Sequence, residues 1–132
     1  LLRYDEVAAG KVDHAIRFTT NVTDRNWLWP ARHQAGAVSN ISYPPMGARF
    51  RLKASYNISG YPAQARVVLT AMKKYGLVLA DNGSPWYFQG TSDTRWTSDL
   101  VSALGRVPAS AFEAVDVLPM RVNTISGAAK QL

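Results

Sequence analysis

Apolar and polar positions alternate strictly over residues 11–19. Val12, His14, Ile16 and Phe18 fall on one side, and Asp13, Ala15, Arg17 and Thr19 on the other. That alternation predicts a strand. Residues 48–56 alternate again, with Phe50, Leu52, Ala54 and Tyr56 opposite Arg49, Arg51, Lys53 and Ser55, so this strand has a wet, basic face. The period then changes. After Ser59-Gly60-Tyr61-Pro62, the residues Val68, Ala71, Met72 and Tyr75 recur at helical spacing, with Gln64, Arg66, Thr70, Lys73 and Lys74 facing out. This predicts one packed helix over about residues 62–75, with Pro62 in its first turn, lysines at its C-terminal end and Gly76 as a left-handed cap.

Leu77-Val78-Leu79-Ala80 is a short apolar run that reads as a buried strand. Asp81-Asn82-Gly83-Ser84 reads as a tight hairpin turn, because Asn-Gly accepts positive φ angles, and Trp86-Tyr87-Phe88-Gln89 then reads as the returning partner. Ser98 to Leu104 predicts a short second helix stopped by Gly105, and Phe112 to Val117 a last strand. Residues 20–47 form a long irregular loop with room for one short strand, and the Gly- and Ala-rich tail from Arg121 depends on contacts for its order. The pattern therefore predicts a mainly β chain, β-sandwich or jelly-roll-like, as a single domain over 1–132. Open strand edges would call for further sequence or a partner chain.

Composition narrows the functional classes. The chain has 132 residues, is 47% hydrophobic and only 18% charged, and holds four Trp, six Tyr and four Phe. Low charge and many aromatic rings suit a β-rich domain that binds neutral ligands such as sugars. The net charge of +6 comes from scattered residues, Arg49, Arg51 and Lys53 being the tightest group. Polyanion binding through that strand is thus a minor reading, and nucleic acid is not the expected partner. The absence of Cys excludes disulfides, thiolate metal sites and thiol catalysis. No apolar stretch is long enough to span a bilayer as a helix, so no membrane partner is expected. The start at Leu1, without Met, suits a piece of a longer protein.

Candidate chemistry is sparse. Of the two histidines, His14 shares a face with Val12, Ile16 and Phe18, which suits a core histidine; the alternative is a ligand or general base alongside His33, Asp81 and Glu6. Their spacing matches no metal motif, so no metal and no cofactor are expected. Glycoside hydrolysis needs an acid and a second carboxylate. Asp81 and Glu6 are the candidates, although Asp81 also suits ordinary turn chemistry before Asn-Gly. Trp27, Trp29 and Trp86 are candidate stacking surfaces for sugar, or else staples that pin loops to the core. Arg49 and Arg51 are candidate ligand contacts. N-x-S/T triplets begin at Asn21, Asn40, Asn57 and Asn82, and the first three are candidate glycan acceptors of a secreted protein. No G-x-S-x-G, H-E-x-x-H, P-loop or G-x-G-x-x-G occurs.

Several blocks carry a resemblance. They are Leu2-Arg-Tyr-Asp-Glu-Val, Asp13-His-Ala-Ile-Arg-Phe-Thr, Trp29-Pro-Ala-Arg-His33, Pro44-Pro-Met-Gly-Ala-Arg-Phe-Arg-Leu-Lys-Ala-Ser55, Lys74-Tyr-Gly-Leu-Val-Leu-Ala-Asp-Asn-Gly-Ser-Pro-Trp86 and Phe112-Glu-Ala-Val-Asp116. Together they resemble the C-terminal part of a family of larger exported proteins of soil bacteria and fungi. The resemblance implies an extracellular location and a preceding portion, and it implies no catalytic residue. The leading expectation is an exported carbohydrate-active domain, a polysaccharide hydrolase or a sugar-binding module. The alternative is a structural protein that assembles through open strand edges without catalysis.

Overall fold

The computed structural model describes residues 1–123 and 128–130. Among the described residues there are seven strands and three α-helices, about a quarter each, so helix and strand are balanced where the pattern favoured strand. The order is α1 (Tyr4–Ala8), β1 (Ile16–Thr20), β2 (Asp24–Trp27), β3 (Pro45–Met46), β4 (Arg49–Leu52), α2 (Ala63–Lys74), β5 (Leu77–Asn82), β6 (Tyr87–Phe88), α3 (Ser98–Gly105) and β7 (Phe112–Val115).

Five strands form one mixed sheet in the order β6-β1-β5-β4-β7, and β2 and β3 form a separate parallel pair. β1 runs parallel to β5, while β6, β4 and β7 are antiparallel to their neighbours. The expected hairpin between residues 77–80 and 86–89 does not form, because β1 is inserted between β5 and β6. Side-chain chemistry at the turn explains the change. Asn82 accepts from Thr23 Oγ1 at 2.9 Å and donates to Ala35 O at 2.6 Å, the N–H of Gly83 donates to Thr20 O, and Thr19 Oγ1 donates to Ser84 O at 2.9 Å. The segment is thereby carried across the end of β1. The positive φ falls on Trp86 (55°) and not on Asn82 or Gly83.

The predicted helix is α2, and Gly76 beyond it has the expected left-handed backbone. Its buried face is Ala65, Val68, Leu69, Ala71 and Met72, in one core with Ile16, Leu52, Leu77 and Leu79. The half-buried Tyr75 flanks that core. α3 matches the second predicted helix, capped by Thr97, whose Oγ1 accepts from the N–H of Leu100 at 3.2 Å. α1 was not legible in the pattern.

The sheet is strongly curled. Phe88 on one edge and Phe112 on the other bring their ring centroids to 6.4 Å, although three strands lie between them. A flat sheet would hold those edges about 19 Å apart at about 4.8 Å per strand. Trp86 fills the concavity, edge-on to Phe18 (5.1 Å), Phe112 (5.1 Å), Phe88 (5.9 Å) and Phe50 (6.4 Å). The opposite, outer face carries the register partners Arg17, Val78, Arg49 and Val115, with Tyr87 opposite Thr19.

Candidate functional site

A groove of about 800 Å³ runs along the outside of β6, between residues 85–93 and the exposed side of α3. One wall is β6 with its flanking residues Trp86 and Gln89. The other is Leu100, Val101 and Leu104 on α3, and Leu1 and Leu2 contribute from the N-terminus. Leu2 is held by backbone pairing: its N–H donates to Gln89 O at 3.1 Å, and the N–H of Thr91 donates to Leu2 O at 2.9 Å. Short apolar stretches at the N-terminus and in α3 thus come to face an aromatic edge strand.

The rim is preorganised. Trp96 donates from its indole N–H to Thr91 O at 2.8 Å and stands edge-on to Tyr4 at 5.2 Å. Arg95 lies over the Tyr4 ring at 4.6 Å and pairs with both Asp5 (2.9 Å) and Asp93 (2.7 Å). Hydrogen bonds from the Arg95 side chain and backbone pull the Asp93 carboxyl down to about 2. Polar groups facing this apolar trough include the Thr91 and Ser92 side chains and Gln89. The Trp86 indole N–H and the Gln89 Oε1 are buried with no hydrogen-bond partner. Orphaned polar atoms of this kind are uncommon in a folded protein. Tyr87, on the same strand, is 61% exposed.

The candidate residues read from the sequence divide between two ends of the sheet. Glu6 and His14 meet: His14 Nε2 donates to both Glu6 oxygens at 3.0 Å, and Nδ1 contacts Ala15 O at 2.8 Å. Glu6 also accepts from the Arg3 N–H at 3.0 Å and from the Arg3 guanidinium at 3.2 Å. Partial burial pushes the Glu6 carboxyl up, but the bonds from His14 and Arg3 outweigh it and bring it down to about 2. The Ala15 carbonyl and Glu6 raise His14. Both imidazole nitrogens therefore act as donors, and the pair ties α1 to the entry of β1.

His33 and Asp81 lie at the other end. Asp81 pairs with Thr19, near the C-terminal end of β1, and is exposed; the loop holding His33 reaches Asn82 through Ala35. Among the described residues no group of three or more His, Asp or Glu side chains could hold a metal ion. Trp27 ends β2 opposite Met46 and is 51% exposed, and Trp29, in the loop that follows, is half-buried. Trp86 sits partly in the core and partly in the groove wall. Arg51 pairs with Glu113 at 2.7 Å, whereas Arg49 donates from Nη2 to Tyr75 O at 3.1 Å. Asn21, Asn40 and Asn57 are exposed, and the side chains of Asn40 and Asn57 accept from the N–H groups of Ser42 and Ser59.

Three participants were missed. Gln89 and the Asp93–Arg95 clamp sit in segments read only as a strand end and a polar loop. Asp24 is 3% exposed and organises the long loop, accepting from Asn26 Nδ2 at 2.7 Å and from the N–H of Asn40 at 2.9 Å. The Asn26 bond is the main reason its carboxyl lies below the usual range. The Asp-x-Asn and Asp-x-Arg spacings were the signals available, since a carboxylate often bonds a group two residues on.

No protein-family model, curated protein or solved structure matches the chain.

Proposed function

We propose that the chain is an exported carbohydrate-binding domain that holds a glycan along the β6 groove without cleaving it. The observation that carries the reading is the groove itself: an aromatic and aliphatic trough whose lining also includes Gln89, Thr91 and Ser92. Sugar rings offer the complement, with apolar C–H faces and hydroxyls that both donate and accept.

Two of the carboxylates support binding without hydrolysis. A glycosidase needs one carboxyl that is protonated near neutral pH, standing about 5–9.5 Å from a second. Asp93, in the groove, is clamped by Arg95 and held at about 2, and Glu6 is held at about 2 by His14 and Arg3. Neither serves as the acid. The two edges of the sheet are only two and four residues long, which disfavours the assembly reading. The sandwich- or jelly-roll-like scaffold remains part of this proposal; what supports it is the mixed five-stranded sheet with its separate two-stranded pair.

The reading is tested by titrating a panel of oligosaccharides while following tryptophan fluorescence. Binding that weakens at least about fivefold in Tyr87→Ala, a change at an exposed wall residue, is the expected result, since base or sugar stacking on one ring contributes about 1 kcal/mol or more. No fluorescence response to any member of the panel would remove the reading. Release of reducing sugar would restore the hydrolase expectation.

A further inference from the structure

We propose that the ligand of the groove is an acidic glycan whose carboxylate or sulfate is held by Arg17 and Arg49 on the outer face of the sheet. The inference rests on the glycan reading above and adds the charge of the ligand to it.

Arg17 of β1 and Arg49 of β4 both lie opposite Val78 of β5, so the two arginines share one face with a single small residue between them. Two strand spacings separate their Cα atoms by about 10 Å, which lets two long side chains lean together over Val78. Gln89 continues the row toward the groove. Its N–H donates to Arg17 O at 2.9 Å, and the residue is part of the groove lining.

The electrostatics of this row are unsatisfied. The Nε–H groups of Arg17 and Arg49 are both buried without a partner, as is Gln89 Oε1. Carboxylates that could have served them are engaged: Glu113 with Arg51 at 2.7 Å, and Asp13 with Lys11 at 3.4 Å and the Tyr75 hydroxyl at 3.2 Å. Arg49 is also desolvated enough to lower its pKa. A cation taken partly out of water without a counter-ion costs free energy, and a bound anion recovers it. Arg49 spends Nη2 on Tyr75 O, and the remaining guanidinium N–H groups of the pair are charge-assisted donors suited to an oxyanion. One strand away from Arg17, Gln89 is the amide residue that lines the groove. An oxyanion and a hydroxyl about one strand spacing apart are what a uronic acid or a sulfated sugar presents.

The test compares three oligosaccharides of equal length by isothermal titration calorimetry at low salt: an oligogalacturonate, its methyl ester, and a sulfated galactan fragment. The wild-type chain is expected to bind at least one charged oligosaccharide about tenfold or more tighter than the neutral methyl ester, the effect of one charge-assisted hydrogen bond. Which charged arm wins identifies the carboxylate or the sulfate as the source. Arg17→Met removes the preference and leaves affinity for the methyl ester within about twofold. Arg49→Lys, which keeps the charge and loses the guanidinium, reduces the preference, and circular dichroism confirms that both variants are folded. Equal binding of charged and neutral oligosaccharides, or a preference that survives in Arg17→Met, overturns the inference while leaving the glycan reading intact. Binding of none of the three overturns both.

Discussion

His14 was legible as a histidine on an apolar face, and Glu6 as one of three residues set beside it, but which of the three it meets was not, because Glu6 lies on a five-residue helix too short to show a period. The bonds between them give folding stability a defined pH window. Glu6 has a depressed carboxyl in the fold, so its contribution is present above the ordinary glutamate value of about 4.3 and is lost as pH falls toward 2. His14 is raised in the fold, so its contribution is full below about 6.5 and is lost as pH climbs through the raised value. Thermal melts of wild type and His14→Gln are expected to differ most between about pH 4.5 and 6.5 and to converge on either side. A difference that stays constant across pH would contradict the pairing. Glycine supplies a second test at this scale. Gly47 has φ +81°, and a Cβ there would collide with Leu28 O and stand 2.8 Å from the Ala31 Cβ, whereas Gly10, at φ +83°, has open space. Gly10→Ala carries only the left-handed penalty of about 1–2 kcal/mol, and Gly47→Ala is expected to exceed it by at least about 1 kcal/mol in urea unfolding.

Elements with a sustained period were readable in advance. α2 and the alternating faces of β4 follow from where their apolar residues fall, because a repeated period leaves only one face to bury. Pairing partners were not readable. Asn82-Gly83 is a strong hairpin signal, and long-range hydrogen bonds from Thr19 and Thr23, and from Asn82 to Ala35 O, override it by drawing the turn across β1. The same rearrangement carries Trp86 into the middle of the aromatic core, though the residue reads locally as part of a surface strand. Trp86→Ala is expected to cost about 3–5 kcal/mol in chemical denaturation, a large share of what a domain of this size has. Trp86→Phe keeps part of the edge-on packing with Phe18 and Phe112 and is expected to cost less than half as much. If Trp86→Ala unfolds within about 1 kcal/mol of wild type, the curled sheet is not built around this ring.

For the whole molecule, composition pointed to ring-rich surfaces, and the fold concentrates them unevenly. Trp27 and Trp29 stay at and beyond the end of β2, while Trp86, Phe88 and Trp96 gather beside α3 to wall the groove. That gathering depends on β6 pairing with β1 and on Leu2 adding itself to Gln89 and Thr91, two contacts between residues far apart in the chain. Raised salt is expected to weaken binding of a charged glycan and to leave a neutral one nearly unchanged, since screening acts on Arg17 and Arg49 and not on the aromatic wall. The central claim is that a glycan lies along β6. Two-dimensional amide NMR of the labelled chain, titrated with the tightest-binding oligosaccharide, tests it most directly. The account predicts shifts concentrated at residues 86–96 and along Leu100–Leu104, with Arg17 joining them for an acidic ligand. Shifts confined to the loop around Trp27 and Trp29, or to residues near Asp81, would contradict it.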